Sequence, residues 1–283
     1  MHLHLFTIPY DSGQHGVRMG AGPDHLLDLH LADRLRALGH EVDVTAIHPE
    51  PGAFPLEVGT AFALQRQLAT AVSGAAGRGE LPIVLAGNCN TAVGTLSGLG
   101  PRGHDVVWLD AHGDFNTPET TIGGFFDGMS ISMLVGHCWT RMTAGVPGFE
   151  AIPESAVHLV GVRDLDPLEH DRLAASEVRI FRPAGAAAAL GAALGAEDAP
   201  GARPVYLHLD LDVLDPSDAV INRFAAPDGL SADEVEAVVR AVGRRRRIAA
   251  VAITALDPAA DPAGRAGGVA CRLIEAAVAA VRS

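Results

Sequence analysis

Short apolar runs alternate with helical stretches along most of this chain, and this alternation limits its possible folds more than any other feature. The clearest runs predict strands at His4–Ile8, Pro82–Ala86, Asp105–Asp110, Val205–Asp210 and Ile248–Thr254. About eight such runs occur, with helical patterns between most of them. Strands separated by helices form a parallel sheet that helices cover on both faces. The sequence therefore predicts an α/β fold, with a (β/α)₈ barrel as the main rival architecture.

The chain offers enough apolar residues for a large core. Hydrophobic residues make up 48% of the 283 residues, and no repeat or shift in composition marks a domain boundary. We therefore expect a single domain over residues 1–283. One long helix is predicted at Pro23–Leu38, with Gly39 as its stop signal. Another is predicted at Ser231–Val242, where Ser231 and Glu234 form a capping box.

Charge and cysteine content narrow the class of protein. The formal net charge of −13 argues against a general surface for nucleic acids or anionic membranes. The basic run Arg244–Arg247 is predicted to end a helix, where cations complement the helix dipole. Cys89, Cys138 and Cys271 are far apart and show no CxxC spacing, so a reducing cytoplasm is expected. The first residues do not match a secretory signal, and no run approaches the ~18 apolar residues of a membrane span.

A polar string, Asp-Ala-His-Gly-Asp-Phe-Asn at 110–116, follows the apolar run Val106–Leu109. Alternate side chains of an extended segment share a face, so Asp110, His112 and Asp114 can point the same way. Two carboxylates and an imidazole suit Mn²⁺, Fe²⁺ or Zn²⁺ better than Ca²⁺. A solvated polar loop is the alternative, so the decision depends on ligands from elsewhere in the chain.

A second polar string, Asp-Leu-Asp-Val-Leu-Asp-Pro at 210–216, also ends an apolar run. Asp210 and Asp212 again alternate onto one face. Burying carboxylates there is costly unless something cationic meets them, and no lysine or arginine lies close in sequence to either string. A site for two cations is the simplest explanation.

The two strings resemble the metal signatures of the arginase/agmatinase (ureohydrolase) superfamily. Two further segments, 84–90 and 163–170, are similar to other motifs of that family and occur in the family's order. The resemblance implies a three-layer α/β/α fold with a central, mostly parallel eight-stranded sheet. It also implies a site for two Mn²⁺ ions and a small-molecule guanidino substrate.

The resemblance also implies specific roles for individual residues. One ion would be held by Cys89, Asp110, Asp114 and Asp210. The other would be held by Asp110, His112, Asp210 and Asp212, so that Asp110 and Asp210 bridge the ions. A water between the ions would lose a proton near neutral pH, and the hydroxide would attack the guanidino carbon. The amino-acid end of the substrate would be bound by Asn116, Asp166 and Glu169.

Three positions depart from the family pattern. Cys89 stands where the family has a ligand histidine, and it is either a thiolate ligand or a small buried hydrophobe in a site with one metal or none. A thiolate favours softer metals, so Zn²⁺, Fe²⁺ and Ni²⁺ stay open beside Mn²⁺. Asp127 stands where arginases carry a histidine for proton transfer. Asp127 could act as an acid or base if burial raises its pKa. The alternative is that this carboxylate only lines a loop.

The third departure is Ala255, which replaces the glutamate that pairs with the guanidinium in the family. The guanidinium of arginine is always charged and needs such a partner, whereas an N-hydroxyguanidine is less basic. The pattern is similar to amidinohydrolases that convert Nω-hydroxy-L-arginine to hydroxyurea and L-ornithine in D-cycloserine biosynthesis. We therefore expect a cytoplasmic hydrolase of C–N bonds in linear amidines that serves antibiotic biosynthesis.

Several alternatives stay open at this point. The substrate is alternatively another guanidino or amidino compound, such as arginine, agmatine or formiminoglutamate. The chain is alternatively a non-catalytic ureohydrolase homologue. Asp166 and Glu169 also fit a capped helix start, because Asp-Pro commonly begins a helix. No extension follows the last predicted helix, so a monomer is expected rather than a homo-oligomer.

Overall fold

The computed structural model describes residues 1–50, 52, 56–100, 103–195 and 202–281. Within these residues, eight strands form one sheet in which every pairing is parallel. In chain order the strands are β1 (His2–Ile8), β2 (Glu41–Ala46), β3 (Leu81–Ala86), β4 (Asp105–Leu109), β5 (Val157–Val160), β6 (Arg179–Phe181), β7 (Val205–Asp210) and β8 (Ile248–Thr254). A separate short hairpin pairs Tyr10–Asp11 with Gln14–His15.

The order across the sheet is β2-β1-β3-β8-β7-β4-β5-β6. The sheet is open, with β2 at one edge and β6 at the other, so the barrel architecture is wrong. The predicted α/β class with a central eight-stranded sheet is confirmed, and the described sheet is parallel throughout rather than mostly parallel.

Helices cover both faces of the sheet. Among the described residues the helices are α1 (Gly22–Asp28), α2 (Leu31–Ala37), α3 (Glu57–Gly77), α4 (Ala92–Leu99), α5 (Ser130–Leu134), α6 (Thr140–Thr143), α7 (Pro167–Ala174), α8 (Ala186–Leu194), α9 (Ala232–Arg245) and α10 (Arg265–Ala280). Buried residues of α1, α2, α8, α9 and α10 join one core cluster. Those of α3, α4, α5 and α7 join the other. This arrangement is the predicted three-layer α/β/α architecture.

Side chains of the central strands alternate between the two cores. In β3, Ile83 and Leu85 belong to one cluster and Val84 belongs to the other. All six residues of β3 are buried, as expected for a strand that helices cover on both faces. Full burial of such an aliphatic side chain contributes about 1.5–3 kcal/mol. The core therefore holds the ends of these strands in fixed positions.

One predicted helix is wrong and another is confirmed. The segment Pro23–Leu38 forms two helices, because His30 adopts a left-handed conformation with φ of 59° between α1 and α2. Helix α9 has Ser231 as its N-cap and the predicted capping box with Glu234, and its last turn contains the basic residues Arg244 and Arg245. The three cysteines are free and buried. No helix in the described part of the chain combines the length and apolar content needed to cross a membrane.

Candidate metal centre

The candidate site lies where four neighbouring strands of the parallel sheet end. The order β3-β8-β7-β4 brings together side chains that are remote in sequence. Asp210 is the last residue of β7 and Thr254 the last of β8, while Cys89 and Asp110 follow β3 and β4. All four residues are buried. Ligands in open parallel sheets bind outside this edge, so the predicted metal residues lie where the fold favours a site.

The structure brings most of the predicted metal ligands into two clusters that share Asp110. The first contains Cys89, Asp110 and Asp210, and the second contains Asp110, His112 and Asp212, with potential ligand atoms within 4.8 Å of one another in each cluster. Cys89 Sγ lies 2.9 Å from Asp210 Oδ2. His112 Nδ1 lies 3.3 Å from Asp110 Oδ1 and 3.4 Å from Asp212 Oδ2. Asp110 therefore belongs to both clusters and could contribute a ligand to each.

Asp114 lies outside both clusters but lines the same cavity. Its φ of 48° shows that the extended alternation expected for residues 110–114 stops at this residue. Asp114 Oδ2 is buried without a hydrogen-bond partner in the described part of the chain. A buried carboxylate oxygen without a donor is costly unless a cation meets it. This atom and the thiol, imidazole and carboxylate donors around it fit a site for divalent cations.

The backbone positions the two polar strings in the same way. Asp110 Oδ1 accepts a hydrogen bond from the His112 N–H at 2.7 Å, and Asp210 Oδ1 accepts one from the Asp212 N–H at 2.8 Å. Both are turns in which an aspartate binds the backbone two residues on. Asp212 Oδ1 also accepts from the Ala111 N–H at 3.2 Å, which joins the two strings. The carboxylates are therefore oriented by backbone groups.

Burial and mutual repulsion determine the protonation of the cluster. Burial, with the charge of Asp212 adding to it, raises the pKa of Asp110 to about 6. Burial and the surrounding aspartates also raise the pKa of Cys89 and of Asp210. Burial lowers the pKa of His112, but its hydrogen bonds to Asp110 and Asp212 outweigh this and raise it to about 12. A bound cation would stabilise the deprotonated form of each group.

We expect metal affinity to weaken as the pH falls. His112 and Cys89 keep their protons between about pH 6 and 8, so both protons must be released when a metal binds, together with those on part of the Asp110 population. Each released proton makes binding about tenfold weaker for every unit by which the pH falls. The dissociation constant of Mn²⁺ should therefore rise at least about tenfold for each unit of pH lost between about pH 8 and 6. Calorimetric titration in buffers of different ionisation enthalpy measures both the constant and the protons released. A constant that does not change over this range would contradict the expectation.

Asp127 is bound by the segment that carries Cys89. Its Oδ2 accepts from Asn88 Nδ2 and the Cys89 N–H, both at 2.9 Å. Its Oδ1 accepts from the Asn90 N–H at 2.7 Å and from Asn90 Nδ2 at 2.9 Å. Burial raises the pKa of Asp127 to about 6, although these donors oppose the rise. The contacts anchor the Cys89 segment, and the role of Asp127 as an acid or base stays a prediction.

Glycine is required just before this segment. A β-carbon on Gly87 would collide with the carbonyl oxygen of Tyr10. The chain after β3 can therefore lie against the hairpin only because residue 87 has no side chain.

The residues predicted to bind the amino-acid end also form a capped helix start. Asp166 is the N-cap of α7 and Glu169 completes a capping box with it. Glu169 Oε1 accepts from the Phe115 N–H at 2.8 Å, and Asn116 Nδ2 donates to Asp166 Oδ2 at 3.2 Å. Burial raises the pKa of Glu169 to about 7 against the effect of the Phe115 N–H. These three side chains line the same cavity as the metal residues, and their contact with a substrate stays a prediction.

The cavity has a volume of about 210 Å³. Besides the charged side chains, its lining includes the uncharged residues Met19, Phe125, Phe224 and Ala255. The rings of Phe125 and Phe224 stack with centroids 5.2 Å apart. Ala255 has a φ of 68°, and its carbonyl oxygen accepts from Asn222 Nδ2 at 2.9 Å. Sequence reasoning identified only Ala255 among these residues. The others lie on separate segments and belong to no local motif that would have revealed them.

Comparisons with known proteins agree with this architecture. The Arginase family model matches residues 1–280. The N(omega)-hydroxy-L-arginine amidinohydrolase of Streptomyces lavendulae is 32% identical over 236 residues, which span 82% of this chain and 80% of that protein. The arginase of Eremothecium gossypii is 28% identical over 285 residues, spanning 90% of this chain and 69% of that protein. The crystal structure of arginase from Bacillus subtilis matches with a TM-score of 0.85 and 26% identity over 98% of both chains.

Proposed function

This chain belongs to the arginase family, and from that premise we propose that it hydrolyses Nω-hydroxy-L-arginine to hydroxyurea and L-ornithine. As a member of that family it is a hydrolase of C–N bonds in amidines or guanidines. A relative named for Nω-hydroxy-L-arginine supports the specific substrate, although arginases are nearly as similar. We further propose that residues 1–283 form one domain. A monomeric state, the cytoplasm and a place in antibiotic biosynthesis stay predictions.

The observation that carries this proposal is Ala255, an uncharged residue that lines the cavity of the candidate metal centre. The guanidinium of arginine keeps its charge at any accessible pH and would need a carboxylate partner in a buried site. At position 255 the chain offers only a methyl group, and Phe224 and Met19 add further uncharged surface to the same cavity. N-hydroxylation lowers the basicity of a guanidine. A neutral N-hydroxyguanidine therefore suits this part of the cavity better than a guanidinium ion.

The remaining residues supply metal binding and orientation. Two divalent cations, which we propose to be Mn²⁺, would lower the pKa of a bound water so that hydroxide forms near neutral pH. The proposed ligands of these ions are Cys89, Asp110, His112, Asp114, Asp210 and Asp212. Asn116, Asp166 and Glu169 would bind the amino-acid end of the substrate, and Asp127 would hold the segment that presents Cys89. Elemental analysis of the purified protein would distinguish Mn²⁺ from Zn²⁺, Fe²⁺ and Ni²⁺.

A panel of guanidino compounds tests the proposal. With Mn²⁺-loaded protein, we expect kcat/KM for Nω-hydroxy-L-arginine to exceed that for L-arginine, agmatine and formiminoglutamate by at least about tenfold, or ~1.4 kcal/mol. Equal or greater efficiency on L-arginine would reject this substrate assignment. Metal content near zero after loading would instead favour the non-catalytic homologue.

Restoring an acidic side chain at position 255 should shift the preference toward arginine. A charged hydrogen bond is worth about 1.5–3 kcal/mol, so Ala255→Glu should hydrolyse L-arginine about tenfold or more faster than Ala255→Gln. The glutamine variant is the matched control, because it has nearly the same size and the same cost at the left-handed φ of 68°. Steady-state kinetics on both substrates measures the change. Equal arginine rates in the two variants would show that residue 255 does not face the guanidine.

A further inference from the structure

Behind the sulfur of Cys89, a line of buried hydrogen-bonding side chains runs across two strands of the sheet. Thr254 Oγ1, at the end of β8, lies 3.1 Å from Cys89 Sγ. The same oxygen lies 3.2 Å from Nε2 of His208, on the neighbouring strand β7. His208 Nδ1 in turn lies 2.8 Å from the hydroxyl of Tyr206. Thr254, His208 and Tyr206 are at most 1% exposed, so water does not compete for these contacts.

A thiolate ligand would give this line of contacts a single direction. A metal-bound thiolate has no S–H and can only accept, so the Thr254 hydroxyl must donate to it. The Thr254 oxygen can then accept from the Nε2–H of His208. A neutral imidazole carries one N–H, so Nδ1 accepts and the Tyr206 hydroxyl donates to it. Hydrogen bonds aligned in this way polarise and strengthen one another.

Two further contacts bear on this line of side chains. The carbonyl oxygen of Leu209, which also lies near the Thr254 hydroxyl, is 3.5 Å away and is therefore a weaker acceptor than the sulfur at 3.1 Å. The ring of His208 stacks on Trp108 with centroids 3.5 Å apart and an interplanar angle of 5°, which fixes the plane of the imidazole. Its hydrogen-bond contacts then place Nε2 toward Thr254 and Nδ1 toward Tyr206. Trp108 Nε1 also donates to Asp110 Oδ2 at 2.9 Å. The stack therefore connects the surroundings of Cys89 to the shared carboxylate.

We propose that Thr254, oriented by His208 and Tyr206, is a positioning residue that donates a hydrogen bond to Cys89 Sγ and holds this sulfur as a metal ligand. The inference rests on the part of the proposed function in which Cys89 binds a metal, but it does not depend on the identity of the substrate. Hydrogen bonds to ligand atoms fix their orientation and tune the metal. A donor to the sulfur also draws electron density away from the metal. It thereby offsets the loss of Lewis acidity that a thiolate causes relative to histidine.

Cobalt substitution tests this role without using catalysis as the readout. The Co²⁺-loaded wild type is compared with Thr254→Val, which keeps the shape but loses the hydroxyl, and with Thr254→Ser, which keeps the hydroxyl. A sulfur without its donor holds its electrons less tightly. We therefore expect the sulfur-to-cobalt charge-transfer band of Thr254→Val to move to longer wavelength. We also expect its Co²⁺ affinity to fall about 10- to 100-fold, while Thr254→Ser keeps both properties.

Tyr206→Phe removes the hydroxyl that donates to His208 Nδ1 and should move the band in the same direction by a smaller amount. An unchanged band in Thr254→Val or in Tyr206→Phe would overturn the proposal. Binding of Co²⁺ without any sulfur-to-cobalt band in the wild type would also overturn it, because Cys89 would then not be a ligand. The same samples are also assayed on the guanidino panel. If they still prefer Nω-hydroxy-L-arginine, the proposed substrate stands even though the role of Thr254 or Cys89 at the metal has failed its test.

Discussion

Replacing Asp110 with asparagine is expected to remove both metal ions and to lower the hydrolytic rate by at least about 10³-fold, or ~4 kcal/mol. Asp110 is the residue that the two candidate clusters share. Its two oxygens also accept hydrogen bonds from the Trp108 indole and the His112 N–H. An amide provides one oxygen instead of two and removes a negative charge from between the ions. Neither site would then have the ligands it needs.

The measurement is metal content by elemental analysis together with kcat/KM. Asp164→Asn is the matched control, because Asp164 lines the same cavity but its side chain is 64% exposed and lies 3.9 Å from His112 Nε2. The control should keep its metals and lose no more than several-fold in rate, as expected for a screened charge. Two metal ions per chain in Asp110→Asn would show that this carboxylate does not bridge.

Replacing Arg163 with lysine is expected to lower the free energy of unfolding by about 3 kcal/mol or more. The guanidinium donates to the carbonyl oxygens of Gly161 at 3.0 Å, Asp212 at 3.0 Å, Ala226 at 2.8 Å and Pro227 at 2.9 Å. These groups belong to the residue that follows β5, to the second polar string and to the loop after that string. A lysine ammonium has three donors and no planar fork, so it leaves several partly buried carbonyls without a partner.

Chemical denaturation of the metal-free protein measures this loss. Arg240→Lys provides the comparison, because Arg240 is exposed and pairs with Glu236 one helical turn away. That change should cost less than about 0.5 kcal/mol. A cost below about 1 kcal/mol for Arg163→Lys would mean that lysine or water replaces the lost hydrogen bonds. The sequence associated the segment of Arg163 with substrate binding, whereas the structure shows that this arginine holds loops together.

Local sequence signals predicted the central strands well. The predicted bounds Val205–Asp210 and Ile248–Thr254 agree with β7 and β8, because uninterrupted apolar runs at this length favour buried strands. The break at His30 and the left-handed turn at Asp114 were missed. Both are non-glycine residues with positive φ, a conformation that surrounding contacts impose and that residue type does not announce.

Spacing alone predicted proximity only within each polar string, and the family resemblance was needed to associate Cys89, Asp110 and Asp210. His112 and Asp110, or Asp212 and Asp210, are close because they are two residues apart. The partners of Asp127 and Thr254 could not be predicted. Asp127 contacts Cys89 although the two are 38 residues apart in sequence, and Thr254 contacts Cys89 although those two are 165 residues apart. Those contacts depend on which strands are neighbours in the sheet, and strand order is set by the packing of the whole chain.

The strand order also has a consequence for how the protein is made. The last strands to leave the ribosome, β7 and β8, occupy the two central positions of the sheet. Until they arrive, β1 to β3 and β4 to β6 form two separate groups whose inner edges have no partner. Exposed strand edges of this kind pair readily with other chains. The contacts that join the two groups of strands link distant parts of the sequence, and such contacts form slowly. Because Asp210 ends β7, the metal site would be completed in the same step that joins the two halves. Nascent chains stalled before β7 should therefore depend on chaperones. They should also bind no metal at the two clusters that share Asp110, because Asp210 and Asp212 are still missing.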